Sequence, residues 1–344
     1  MQSFPILDTK GSERLRGRCH GEAFRGRIHD TVDFYIEGLF GRLGFSEQQM
    51  TVAASKVQSL ALRYSPEQYE EILGISEGST VPVWKISLLN GRSELLNADI
   101  PECTALYLCE SSVLAQNWDW VERLEGLCVL IRHERKDGFR YLSFTEPGMV
   151  GKIGLNSAGI GVCLNILFGK HRLEGLPIHL VIGRLLNAQD FTGVHKILDS
   201  CGNGKSGNLL VGSSTEGGFA KEFCGDDTFI LQPEDGFLVH TNHGLGSKVG
   251  LQEDGIENSR IRLARANELI KGDESEELEL ARKVLLDEKN SPESIMRPYS
   301  EQPKLGNHLV GSCASLVMEL GKGLIHIKKG PRPDVVYETY SLYA

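Results

Sequence analysis

The segment from Glu102 to Trp120, ECTALYLCESSVLAQNWDW, constrains the fold of this chain more than any other stretch. It contains two short runs with β-strand preference, Thr104–Cys109 and Ser112–Gln116, joined by a polar turn, which predicts a β-hairpin. The start of one hairpin strand lies beside the end of the other, so Cys103 and Asp119 are expected to be neighbours. A thiol next to a carboxylate is a candidate nucleophile site, although a lone cysteine is more often a small buried hydrophobe.

The rest of the chain predicts layered α and β structure in one domain, residues 1–344. Helical spacing dominates roughly the first hundred residues, including a capping box at Ser46 and a helix that starts at Ser65-Pro66 and ends near Gly74. Strand patterns dominate after Cys103, with two further amphipathic helices at 259–270 and 275–286 whose charges are expected to face water.

Composition narrows the functional class. The net charge is -9 and no basic, aromatic-rich patch offsets it, which argues against nucleic acid or an anionic membrane as partner. The eight cysteines form no CxxC pair, and His240 and His243 lack a third ligand at a familiar spacing, so neither a metal nor a cofactor is expected. The N-terminus lacks the apolar core of a signal peptide, so we expect reduced thiols in the cytoplasm.

Four sequence blocks, in the same order, resemble the isopenicillin-N acyltransferase family (acyl-coenzyme A:aminopenicillanic acid acyltransferases) of N-terminal-nucleophile hydrolases. They cover most of the chain and are RGRCHG at 16–21, CTALY with AQNWDW at 103–120, PGMVGKIGLNSAG at 147–159 and VHTNHGL at 239–245. The resemblance implies an α+β fold, the four-layer αββα sandwich of the N-terminal-nucleophile hydrolases. Periodicity alone could not supply that architecture.

The resemblance also implies a precursor that cleaves itself between Glu102 and Cys103. The products would be a mainly helical α subunit, 1–102, and a β-rich catalytic β subunit, 103–344, which stay together. Cleavage would free the α-amino group of Cys103, whose ordinary pKa of about 7.7–8.0 suits a general base. No catalytic histidine would then be needed.

Three residues carry the chemistry that the resemblance implies. Cys103 would take an acyl group from an amide or an acyl-thioester donor and hold it as a thioester on its sulfur. Acyl-coenzyme A is a candidate donor. Asp119 would hold the α-ammonium group or orient the processing site. Asn242 would donate its side-chain amide to the tetrahedral oxyanion, whereas its spacing alone favours a turn asparagine that caps the backbone.

The chain departs from the family pattern at three positions. Glu102 stands where penicillin-forming members have Gly, Ala105 replaces a Thr, and Ser312 occupies the slot of an Arg. The missing positive charge at Ser312 predicts a substrate that is not penicillin-like. Thr104, Ala105, Asn117 and Ser312 are expected to line the substrate pocket.

Three functions stay open at this point. The first is an acyltransferase that moves an acyl group onto a small amine, and the second is an amidohydrolase that cleaves a small N-acyl compound with the same residues. Whether amine or water takes the acyl group depends on how dry the pocket is. The third is an uncleaved, inactive binding protein with the same fold.

Overall fold

Two β-sheets face each other in the computed structural model, which describes residues 3–96, 103–167, 169, 172–246 and 256–344. The N-terminal part contributes one strand and most of the helices: β1 (Ile6–Gly11), α1 (Glu13–Ala23), α2 (Arg25–Val32), a π-helical segment (Asp33–Phe40), α3 (Glu47–Tyr64), α4 (Pro66–Ser79), α5 (Val83–Asn90) and α6 (Arg92–Leu96). The mainly helical character predicted for this part is therefore observed, with β1 as its strand.

The remaining strands follow Cys103. In chain order they are β2 (Cys103–Leu108), β3 (Val113–Val121), β4 (Val129–Arg135), β5 (Arg140–Thr145), β6 (Ile153–Asn156), β7 (Ile160–Ile166), β8 (Lys205–Ser213), β9 (Gly217–Gly225), β10 (Asp227–Leu231), β11 (Phe237–His240), β12 (Ser300–Gln302), β13 (His308–Glu319), β14 (Leu324–Lys329) and β15 (Glu338–Ser341). The helices between them are α7 (Glu122–Glu125), α8 (Ile178–Leu186), α9 (Phe191–Ser200), α10 (Glu257–Lys271) and α11 (Glu277–Leu285), with a 3-10 turn at Pro303–Leu305.

The larger sheet has the order β1-β4-β5-β6-β7-β8-β9-β10, and the smaller one has the order β11-β2-β3-β13-β14-β15, with β12 beside β13. Strands β2 and β3 contact β7 and β8 across the interface between the sheets. Helix α8 packs on β6 and β7, while α11 packs on β2, β3 and β13. This arrangement of helices, two sheets and helices confirms the predicted αββα sandwich.

Alternation along β2 decides which residues enter each layer. Cys103, Ala105 and Tyr107 belong to the core between the sheets, whereas Leu106 and Leu108 pack with residues of α10 and α11. The aromatic ring of Tyr107 fits between the sheets because Gly212 and Gly218 carry no side chain; a Cβ at either would lie 2.7 Å from the ring. The thiol therefore faces the larger sheet.

Helix α4 runs through Gly74 to Ser79, so the predicted end near Gly74 is wrong. The reason is a close crossing of α1 and α4: a Cβ at Gly74 would lie 2.1 Å from the Arg14 carbonyl oxygen, and one at Gly17 would lie 2.1 Å from the Glu71 carbonyl oxygen. These glycines serve helix packing, which a local pattern cannot distinguish from a stop signal. The capping box between Ser46 and Gln49 is confirmed.

The predicted hairpin is confirmed, with β2 starting at Cys103 and β3 extending through Asp119. The turn between the strands is held from α11, since the Glu110 and Ser111 backbone N–H groups donate to the Glu277 carboxylate at 3.0 and 2.6 Å. Glu277 was expected to be a solvated charge. The predicted cleavage boundary at Glu102 lies outside the described residues, and the division into 1–102 and 103–344 stays a prediction.

Candidate active site

The β2–β3 ladder places Cys103 beside Asp119. Cys103 pairs with Trp118, so Asp119 follows directly on the neighbouring strand. Both residues line one cavity, and both are buried. The sequence prediction that they are neighbours is therefore met by the geometry, while their catalytic roles stay predictions.

Asn242 faces the backbone nitrogen of Cys103. The Cys103 N–H donates to Asn242 Oδ1 at 2.8 Å, and Asn242 Nδ2 donates to the Ile166 carbonyl at 2.9 Å. This orientation of the amide is chemically fixed, because a backbone N–H can only donate and a carbonyl can only accept. Asn242 Oδ1 is thus aimed at the atom that would become the α-amine. An oxyanion role would use the second hydrogen of Nδ2 and stays a prediction.

The start of α10 holds the segment that carries Asn242. Ser259 Oγ accepts from the Asn242 backbone N–H at 2.7 Å and lies 2.8 Å from His243 Nδ1. Thr241 Oγ1 donates to the Ser259 carbonyl at 3.0 Å. Because Thr241, Asn242 and His243 each contact Ser259, the amide of Asn242 is presented in one position.

Arg262, one turn further along α10, binds the nucleophile residue directly. Its Nη1 donates to the Cys103 carbonyl at 2.7 Å and to Thr104 Oγ1 at 2.9 Å, and its Nη2 donates to Asn242 Oδ1 at 2.9 Å. The guanidinium is fully buried. A rigid planar donor is suited to hold three acceptors at once, so Arg262 fixes the relative positions of Cys103 and Asn242.

A second amide supports the same carbonyl from the larger sheet. Asn165 on β7 donates from Nδ2 to the Cys103 carbonyl at 3.2 Å, and its Oδ1 accepts from Asn208 Nδ2 at 3.1 Å. The Cys103 backbone is thus held by donors from both sides of the interface between the sheets. Such support limits the positions that the thiol can take.

Burial dominates the acid–base state of the site. It raises the pKa of the Cys103 thiol to about 12, and the Asp119 carboxylate adds to this effect. Burial also raises the pKa of Asp119 to about 6, against the opposing influence of Arg297, Arg262 and the Ser312 hydroxyl. At neutral pH the thiol is therefore protonated and the carboxylate ionised, so the nucleophile needs a base.

Ser312 orients Asp119. Its hydroxyl donates to Asp119 Oδ1 at 2.6 Å and accepts from the Arg297 backbone N–H at 2.9 Å, while the Ser312 N–H donates to the Arg297 carbonyl at 3.0 Å. Ser312 itself is neutral, as the sequence indicated. Positive charge near Asp119 comes from buried Arg262 and Arg297, and the substrate that is not penicillin-like stays a prediction.

The cavity that contains the thiol has a volume of about 70 Å³. Its walls combine six apolar residues with seven charged or polar ones: Leu96, Trp118, Trp120, Ile153, Leu164 and Ile166, with Arg92, Ser93, Cys103, Asp119, Lys152, His179 and Asn242. Polar groups in such surroundings act more strongly than in water.

An ion cluster forms part of this wall. Lys152 Nζ contacts Glu146 Oε2 at 2.5 Å and lies 3.6 Å from the ring centroid of Trp118, and Arg92 also binds Glu146 Oε2. Although burial alone would raise the pKa of Glu146, the charges of Arg92 and Lys152 bring this pKa below its ordinary value. Burial lowers the pKa of His179, beside Arg92, well below its usual range. Glu146 is therefore ionised and His179 neutral.

The four residues expected to line the pocket do not line this cavity in the described structure. Thr104 and Asn117 pair with each other on the opposite face of the sheet from Cys103, and Asn117 Nδ2 donates to the Leu285 and Ile295 carbonyls. Ala105 faces the larger sheet but lies further along β2. Ser312 acts through Asp119. The period-two alternation of the strands explains the correction for Thr104 and Asn117.

The sequence interpretation missed Arg262, Asn165 and the cluster of Arg92 and Lys152. A signal for Arg262 existed: Ser259, Arg262 and Ala266 lie on one buried stripe of α10, and a polar residue on such a stripe has a partner. No comparable local pattern distinguishes Arg92.

In the ranges that the structure describes, no three His, Cys, Asp or Glu side chains lie close enough together to hold a metal ion. Within the same ranges, every helix is too short or too polar to cross a bilayer.

Comparisons with known proteins point to one family. Residues 109–321 match the family model described as Acyl-coenzyme A:6-aminopenicillanic acid acyl-transferase. An Emericella nidulans protein, Acyl-coenzyme A:6-aminopenicillanic-acid-acyltransferase 40 kDa form, is 29% identical over 316 residues, which cover 88% of this chain and 87% of that protein.

Two solved structures are also similar. A mutant conjugated bile acid hydrolase from Clostridium perfringens has a TM-score of 0.47 and 11% identity, covering 70% of this chain and 92% of that chain. A Caenorhabditis elegans ortholog of N-acylethanolamine-hydrolyzing acid amidase has a TM-score of 0.43 and 14% identity, covering 68% of this chain and 95% of that chain.

Proposed function

Because the chain belongs to the acyl-coenzyme A:6-aminopenicillanic acid acyl-transferase family, and is thus an enzyme of acyl transfer or amide hydrolysis, we propose that Cys103 is its self-generated nucleophile. The family match confirms the resemblance found in the sequence blocks. The observation that carries the proposal is the position of Cys103, whose backbone nitrogen is bound by Asn242 Oδ1 and whose carbonyl is bound by Arg262.

Self-cleavage is the first step of the proposal. The Cys103 sulfur bonds to the carbonyl carbon of Glu102, and the bond from that carbon to the Cys103 nitrogen breaks, with the thiol proton passing to the leaving nitrogen. Water then hydrolyses the thioester, which restores the thiol and leaves a Glu102 carboxylate and a free α-amine. Asn242 already accepts a hydrogen bond from this nitrogen, so the amine would keep its place.

Acyl transfer follows the same pattern. The α-amine takes the thiol proton, the sulfur bonds to the acyl carbon of an amide or thioester, and the leaving amine or thiol takes the proton. An incoming amine or water then attacks the acyl-thioester and regenerates the thiol. A base is required because burial keeps the pKa of the thiol at about 12. Asp119, within the same cavity, would hold the ammonium form of the α-amine.

We favour a small amine as the acceptor. The apolar walls of the cavity, among them Trp118, Ile153 and Leu164, disfavour free access of water to the acyl-enzyme. Hydrolysis of a small N-acyl compound is the competing outcome and uses the same residues. An acyl-coenzyme A thioester is one candidate donor, and we propose no cofactor.

The proposal is tested by giving the protein short-chain acyl-thioesters, with and without small primary amines, and measuring products and protein masses. An acyl adduct on the 103–344 chain, absent from Cys103→Ala, is expected. Amide product that rises with amine concentration would identify a transferase, and free acid that ignores the amine would identify a hydrolase. Absence of both adduct and product would favour an inactive binding protein.

A further inference from the structure

Two buried cations lie in the wall of the cavity that holds the Cys103 thiol. Arg92 and Lys152 are 5% and 2% exposed, so bulk water solvates neither charge. Among the described residues, both pair with the same acid, Glu146. Buried charges in proteins are usually paired with an opposite charge or bind a ligand. The numbers of positive and negative charges in this cluster therefore indicate whether a ligand is needed.

Within this cluster of described residues, two cations face one ionised carboxylate, so Arg92, Lys152 and Glu146 together carry one net positive charge. Glu146 already accepts three hydrogen bonds, because Oε1 accepts from the Tyr35 hydroxyl at 2.5 Å and Oε2 accepts from both cations. His179 is neutral. In the described part of the chain, Arg92 Nε is buried without a hydrogen-bond partner. One carboxylate therefore serves two cations, and a donor on one of those cations remains unused.

Asp119, the other acid of the cavity, does not supply the missing negative charge. Its Oδ1 accepts from Ser312, and the buried cations whose charge acts on it most strongly are Arg297 and Arg262. Asp119 therefore already has positively charged neighbours and does not offset the excess positive charge at Arg92 and Lys152.

We propose that Arg92 and Lys152 bind a carboxylate of the substrate, so that the enzyme acts on small acyl compounds carrying an anionic group near the reacting carbonyl. This inference rests on the proposed function, because the carboxylate would share the cavity with Cys103. Apolar walls strengthen the attraction, since charges interact more strongly away from water. Lys152 has two further hydrogens for charge-assisted bonds, and the charge of Arg92 lies in the same wall.

The geometry places this carboxylate close to the thiol. Lys152 Nζ lies 3.6 Å from the ring of Trp118, and Trp118 is the ladder partner of Cys103. A bound carboxylate would therefore be only a few bonds from the carbonyl that the thiol attacks.

The carboxylate could belong to either half of an amide, and two matched pairs of ligands distinguish the halves. N-butanoylglycine and its neutral amide, N-butanoylglycinamide, test the amine half. The monoethylamide of glutaric acid and its neutral diamide test the acyl half. Affinities for wild-type protein are measured by titration calorimetry at pH 7.5, and kcat/KM replaces affinity for any pair that is turned over.

We expect one acid to be favoured over its neutral partner by about ten- to a hundredfold, as for a charge-assisted hydrogen bond. Lys152→Met should abolish the preference, Lys152→Arg should keep it, and Glu146→Gln, which removes the opposing charge, should increase it. Thermal unfolding checks that each variant folds. If Lys152→Met does not fold, the inference is still tested by the preference of wild type for acid over neutral ligands and by whether Lys152→Arg keeps that preference.

Equal affinity for acid and neutral ligand in both pairs would overturn the inference and make the cluster a purely structural ion pair. A preference that survives in folded Lys152→Met would do the same. The proposed function is tested by different results, namely self-cleavage and catalytic activity. If wild type is uncleaved and inactive but still prefers the acid, the carboxylate site stands and the proposed function is overturned. If wild type is cleaved and active but shows no preference, the proposed function stands and the carboxylate site is overturned.

Discussion

Replacing Arg262 tests how the site is assembled. Arg262→Met removes three hydrogen bonds, to the Cys103 carbonyl, Thr104 Oγ1 and Asn242 Oδ1. The Cys103 carbonyl keeps Asn165 as a donor and Asn242 Oδ1 keeps the Cys103 N–H, but Thr104 is left buried without this donor. Each hydrogen bond to a charged group contributes about 1.5–3 kcal/mol, so partial compensation leaves an expected loss of about 3–5 kcal/mol.

The loss is measured as the free energy of unfolding in urea, with every variant placed in a Cys103→Ala background so that each protein is one uncleaved chain. Arg262→Lys keeps the charge but not the planar fork, and we expect it to lose about 2–3 kcal/mol. Arg260→Lys, an exposed change on the same helix, is the matched control and should lie within about 0.5 kcal/mol of the parent.

Self-cleavage provides the second readout. With Cys103 restored, Arg262→Met should cleave about a hundredfold more slowly, because small displacements of reacting groups have effects of that size. A variant that loses less than about 1 kcal/mol and cleaves at the wild-type rate would refute the assigned role. Arg262 would then be a tolerated buried charge rather than the group that holds Cys103 and Asn242 together.

Further predictions concern the carboxylate and the helix crossing. Ser312→Ala removes a hydrogen-bond donor to Asp119 and should raise the pKa of this carboxyl, which is about 6. The acid limb of the pH–rate profile should therefore move up by roughly half to one pH unit. Ser315→Ala, on the same strand, should not move it. Because the pKa of Asp119 is raised in the folded state, its contribution to stability is present below about pH 4 and is lost as pH rises through about 6. The expected change in the free energy of unfolding is about 3 kcal/mol. Urea unfolding at several pH values should show this change in the parent and not in Asp119→Asn. Gly74→Ala should destabilise the protein by about 1–3 kcal/mol, because its Cβ meets the backbone of α1, whereas Gly26→Ala has open space and should be neutral or stabilising by up to about 1 kcal/mol; thermal unfolding compares the two.

The hairpin and its thiol were predictable because their determinants are local. Two strand-forming runs around a polar turn specify the pairing, and the pairing places Asp119 beside Cys103. The four layers came from the resemblance, since alternation shows that a strand has two faces without showing what covers each one. The same alternation places Thr104 and Asn117 away from the cavity, a consequence that the pocket prediction did not use.

The polar framework of the site was not predictable because it is non-local. Arg262 lies 159 residues from Cys103 in the chain and reaches it only through the packing of α10 on the smaller sheet. Arg92 meets Glu146 across 54 residues, from a helix to a segment between strands. At Ser312 the sequence correctly indicated a neutral side chain, but the positive charge is supplied by arginines from elsewhere in the chain.

The central claim is that Cys103 generates its own base by cleaving the chain before it. The most direct measurement is the intact mass of freshly purified wild type beside Cys103→Ala. We expect wild type to separate into chains of 1–102 and 103–344, while the variant stays whole. A wild type that stays whole under all conditions would contradict the account, because the α-amine required to deprotonate the buried thiol would not exist.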